Sequence, residues 1–85
     1  MKLKGTFARE TFGNETVMVS MDNPSFNGML RANETAAFIL QCLSVETTED
    51  VIVNKVISHY SIDGDRARAS VRRIICKLKD NGLLE

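Results

Sequence analysis

The amino-acid sequence predicts an α+β fold in which a three-stranded antiparallel sheet precedes three helices. Two observations predict it. Residues rich in β-branched and aromatic side chains surround the turn dipeptide Gly13-Asn14, the pattern of a tight hairpin. From Asn33 onward the apolar residues recur instead with helical spacing. The chain of 85 residues has room for one hydrophobic core, so residues 1–85 are expected to form a single domain.

The first two strands are expected over Thr6 to Phe12 and Glu15 to Met21. In the second, Val17, Val19 and Met21 alternate with Met18 and Ser20, so one face of the hairpin can pack on a core. Asp22-Asn23-Pro24-Ser25 carries turn chemistry, and a short third strand is expected over Asn27 to Arg31. Asn33 is a good N-cap for a first helix that places Ala36, Ile39, Leu40 and Leu43 on one face and Phe38 and Cys42 on the other. Being apolar on two sides, this helix should be central. The second begins near Thr47 or Thr48, where Thr47 and Asp50 have capping-box spacing, and buries a stripe of Ile52, Val53, Val56, Ile57 and Tyr60. After the break at Ser61 to Gly64, Asp63 caps a third helix that runs to about Asn81 and stops at Gly82. Its expected core face is Ala67, Val71, Ile74, Ile75 and Leu78. Arg68, Arg72 and Lys79 flank that face on one side, and Arg66, Arg73 and Lys77 lie toward the other. This is the content of a winged helix-turn-helix-like domain.

Composition narrows the function. With 44% hydrophobic and 26% charged residues the chain is expected to fold. Eleven basic residues balance eleven acidic ones, so the whole molecule has no field to draw it to nucleic acid or anionic lipid. Six of those basic residues nevertheless fall after residue 62. Cys42 and Cys76 lack the spacing of zinc or redox motifs, and no apolar run has membrane-spanning length. A cytoplasmic protein with reduced thiols is expected.

No residue pattern points to catalysis. His59 is the single histidine, has no carboxylate cluster or nucleophile motif beside it, and reads as a partly buried structural residue at the edge of the second helix's stripe. Cys42 reads as a small core residue, and Cys76 projects toward the polar side of the third helix. The basic third helix raises the alternative of a small winged-helix DNA-binding regulator, but the neutral total charge and the split of its cations onto two flanks oppose it. A third strand at the sheet edge has unpaired backbone groups that suit strand addition by an extended peptide.

Four stretches together resemble a known family: Phe26 to Ile39 (FNGMLRANETAAFI), Thr47 to Asp50 (TTED), Tyr60 to Asp63 (YSID) and Leu78 to Leu84 (LKDNGLL). In order and spacing they are similar to the PqqD family, of the coenzyme PQQ synthesis protein D type. The resemblance implies a RiPP recognition element: a non-catalytic, cofactor-free winged-helix module that captures the leader of a ribosomally made precursor peptide. It further implies that the leader adds as a strand beside the third strand, against the third helix, and is delivered to a modifying enzyme, typically of the radical SAM type. Ala32 and Leu40 stand where the family usually has Leu and Trp. Both keep the core apolar and leave open whether the pathway is PQQ synthesis or another peptide product. The expected peptide site is then Asn27, Gly28, Met29, Leu30 and Arg31 on the strand, with Arg68, Arg72, Ile75 and Lys79 on the helix. Positive charge beside an apolar contact would suit acidic residues in a leader. The sequence leaves open which flank of the helix faces the strand, and the flank of Arg66, Arg73 and Lys77 is the alternative.

Overall fold

A computed structural model describes residues 1–21 and 29–85. The turn expected at Asp22 to Ser25, and the part of the third strand expected at Asn27 and Gly28, lie outside the described residues. The chain order is β1 (Phe7–Phe12), β2 (Glu15–Ser20), β3 (Met29–Ala32), α1 (Glu34–Cys42), α2 (Glu49–Tyr60) and α3 (Gly64–Asp80). The sheet is antiparallel in the order β1-β2-β3, so β3 forms one of its edges. The α+β, winged helix-turn-helix-like architecture therefore matches the expectation from sequence.

The hairpin closes as a two-residue loop, with Phe12 opposite Glu15. Gly13 has φ +62° while Asn14 does not enter the positive region, the pattern of a II′ turn with glycine in its first central position. The face of β2 that meets the core is the one that carries Met18. Thr16, Met18, Leu30 and Ala32 are buried against the helices, whereas Val19, Met21 and Met29 are exposed on the outer face. Both faces of β2 carry apolar residues, so alternation alone could not choose between them. The cross-strand pairs Thr16–Ala32 and Met18–Leu30 place all four side chains inward together.

Local signals set the helix ends. Asn33 Oδ1 accepts from the Ala36 N–H at 2.8 Å, and Asp63 Oδ1 accepts from the Arg66 N–H at 2.8 Å, satisfying donors that have no partner within the helix. At the start of α2 the cap is Thr48, whose hydroxyl accepts from the Val51 N–H at 3.3 Å, while Thr47 lies one residue before it. α3 ends in a Schellman arrangement: Gly82 at φ +67° donates to the Lys79 carbonyl, and the Leu83 N–H reaches Leu78. Leu83 and Leu78 are both buried, so the stop also adds to the core.

The core lies where α1, α2 and α3 meet the inner face of the sheet. Ile39, Leu43, Ile52, Val56, Ala67 and Val71 have no measurable exposure. One contribution was not foreseen. Leu3 is buried and bridges Leu84, and Lys4 donates to the Leu83 carbonyl, so the two ends of the described chain meet. Ile75 belongs to the core at 6% exposure, while its neighbour Ile74, expected there too, is half-buried.

Candidate functional site

Among the described residues β3 has no partner strand on its outer side, and hydrogen-bond alternation defines which of its groups face that way. The Met21 N–H donates to the Thr6 carbonyl at 2.8 Å, making Thr6–Met21 a bonded pair of the β1–β2 ladder. Bonded and non-bonded pairs alternate along an antiparallel ladder, so Glu15, Val17 and Val19 turn their backbone groups to β1. Thr16 and Met18 therefore serve β3, through Ala32 and Leu30. Met29 and Arg31 are left with N–H and C=O groups directed away from the sheet. Of the expected strand positions, Leu30 is thus spent within the ladder, while Met29 and Arg31 present the edge.

Beside this edge runs a groove between the β3–α1 junction and α3. Its floor includes the half-buried Ala36, Ile62 and Ile74, with the core residue Ile39 beneath them, and Arg66, Ser70 and Arg73 line it from α3. Among the described residues, no carboxylate lines it. The Arg31 guanidinium is occupied elsewhere, since its Nε donates to Glu15 Oε1 at 2.6 Å.

The other flank of α3 has a different fate. Arg68 Nη2 donates to Asp50 Oδ1 at 2.9 Å, its Nη1 bonds Glu49, and Arg72 Nε reaches Glu49 Oε2 at 3.2 Å. Hydrogen bonds to Asp50 and then Glu49 push the Arg68 pKa further up, because they favour the charged guanidinium. The expected quartet on the helix therefore does not meet β3. Arg68 and Arg72 face α2, Ile75 is buried in the core, and Lys79 is exposed outside the groove. The flank kept as the alternative supplies Arg66 and Arg73, joined by Ser70 and Ile74. The 3.6-residue period marked two equivalent flanks; packing of α3 on α2 selects between them.

His59 is exposed rather than partly buried, and its ring stacks on Phe38 at 4.5 Å with Tyr60 edge-on at 4.6 Å. Burial pushes the Tyr60 hydroxyl up in pKa, with the Glu34 charge adding to the shift. Burial also raises the Cys42 thiol, partly opposed by Lys55, whereas Cys76 is exposed. Among the described residues no cluster of three or more His, Cys, Asp or Glu is arranged to hold a metal ion. No helix among them is long and apolar enough to cross a membrane.

The chain is similar to a solved structure described as TbiB1 in complex with the TbiA(beta) leader peptide, with a TM-score of 0.77 and 19% identity. That likeness covers 100% of this chain and 95% of the other, and it shows a shared fold. No curated protein matches. A family profile described as Coenzyme PQQ synthesis protein D matches residues 15–84, from β2 to the Schellman stop. On that match over most of its length, the chain belongs to the coenzyme PQQ synthesis protein D (PqqD) family.

Proposed function

We propose that this chain is a non-catalytic adaptor that binds the leader segment of a ribosomally made precursor peptide and delivers it to a separate modifying enzyme of the radical SAM type. The observation that carries the reading is the free edge of β3, where the outward backbone groups of Met29 and Arg31 adjoin a groove with an apolar floor. A peptide lying there adds as a fourth strand, and its backbone satisfies these donors and acceptors whatever its side chains are. Family membership and the leader peptide bound by TbiB1 support the same reading. The proposed contacts on this chain are the β3 edge, Asn27 and Gly28, which precede it in sequence, and Arg66, Ser70, Arg73 and Ile74 on α3. Arg68, Arg72, Ile75 and Lys79, the other expected helix positions, lie outside this groove and are not part of the proposal. A cytoplasmic location fits a precursor made on ribosomes and two cysteines left as thiols.

Proline substitution on the edge tests this reading. Met29→Pro removes an outward N–H without breaking a bond to β2, and proline is tolerated at the first residue of a strand. One net backbone hydrogen bond amounts to about 0.5–1.5 kcal/mol, so leader affinity should fall about two- to tenfold with the fold intact. The short reading frames adjoining the gene supply the peptides, and calorimetry with each variant supplies the affinities. Wild-type affinity in a folded Met29→Pro protein would reject strand addition. The DNA-binding alternative predicts instead tight duplex binding that weakens steeply with salt and no affinity for any such peptide.

A further inference from the structure

We propose that the groove selects peptides in which a large apolar side chain and a carboxylate stand two residues apart, with Arg66 and Arg73 receiving the carboxylate. The inference rests on strand addition at β3 and adds the chemistry of the peptide. Residues directly opposite one another on paired strands point to the same face of a sheet. Leu30 and Ala32 direct their side chains toward the helices, so the peptide residues opposite them face α3. The residues between, opposite Met29 and Arg31, point to the outer face. Only every second peptide side chain therefore enters the groove.

Two kinds of surface meet those side chains. Ile62 and Ile74, both half-buried, form an apolar floor with the half-buried Ala36 and suit an apolar residue. Arg66 and Arg73 stand above that floor and take part in no ion pair among the described residues. Asp63, three residues before Arg66, is occupied by its cap bond to the Arg66 N–H, and the adjacent Asp65 forms no ion pair among the described residues. Seven residues separate the two arginines, which is about 10.5 Å along a helix axis. Successive inward positions of an added strand lie about 6.6–6.8 Å apart. An apolar side chain over the floor thus leaves the next inward position within reach of one arginine or the other, whichever direction the peptide runs. A cation at that position would meet uncompensated like charge.

A displayed random-peptide library panned against the folded 85-residue chain tests this, with enriched peptides then titrated into isotope-labelled protein. The expected peptides carry Asp or Glu two residues from a large apolar residue, and they shift amides at 29–32 and 66–74. Arg66→Glu with Arg73→Glu should weaken them about tenfold or more and reselect Lys or Arg at the acidic position. Arg68→Gln with Arg72→Gln should leave affinity within about twofold. Far-UV circular dichroism checks folding, and Arg66→Gln with Arg73→Gln replaces the reversal should it fail to fold. Neutral or basic peptides that shift the same amides overturn the selectivity and leave strand addition standing. If no enriched peptide shifts residues 29–32, both are lost.

Discussion

The two flanks of α3 carry the same charge in different states. On the side facing α2, Arg68 and Arg72 share Glu49, and Arg68 also holds Asp50, so their charge is matched within the fold. On the side facing β3, Arg66 and Arg73 line a groove with an apolar floor and no carboxylate among its described lining residues. A cation matched inside the domain has less to give an incoming anion, because the new contact must displace the old one. Basic composition is therefore a poor guide to a binding face. What separates a helix-fastening arginine from a recruiting one is whether the neighbouring element supplies its counter-ion.

The largest test of this contrast uses adjacent isoleucines. Ile75→Ala, on the core side of α3, should cost about 2–5 kcal/mol of stability, whereas Ile74→Ala in the groove should cost roughly half as much or less while weakening peptide binding. Urea denaturation of both variants measures the difference. Equal losses would show that the groove floor is part of the core and not a surface held open for a ligand. Next in size is the cap between the flanks. Asp63→Ala should cost about 1 kcal/mol because the Arg66 N–H loses its acceptor, and Asp63→Asn should restore most of it. A calorimetric melt of each variant is sufficient.

Smaller effects distinguish the flanks electrostatically. Glu49→Gln should lower the melting temperature slightly at low salt and hardly at all at high salt, since its ion pairs are partly exposed and screened. A salt-independent loss would mean that Glu49 contributes by packing. The smallest effect concerns the Cys42 thiol, whose folded-state pKa is raised mainly by burial. Its contribution to stability is complete below the ordinary thiol pKa and is lost as pH rises through the raised value. Wild-type stability should therefore fall across the alkaline thiol range more than that of Cys42→Ala, measured by denaturation at a series of pH values.

Much of the architecture is encoded within a few residues of where it appears. Asn33 and Asp63 cap helices because a side-chain oxygen reaches the N–H three residues on, and Gly82 ends α3 because that position needs a positive φ. Such features depend on local geometry and were legible in the sequence. The hairpin at Gly13-Asn14 and the change to helical periodicity at Asn33 belong to the same class, and they were enough to predict three strands before three helices.

Tertiary structure decided every question of which side faces which. Successive residues on a helix point about 100° apart, so Ile74 and Ile75 both satisfied the core stripe until packing assigned one to the groove and the other to the interior. β2 had apolar residues on both faces, and pairing with Leu30 and Ala32 chose the Met18 face. The arginine flanks were equivalent by periodicity, and Glu49 and Asp50, about twenty residues upstream on α2, broke the tie. Sequence determined the elements and their ends because those interactions span three or four residues. The orientation of each face required contacts between distant segments, whose geometry exists only once the helices pack against the sheet.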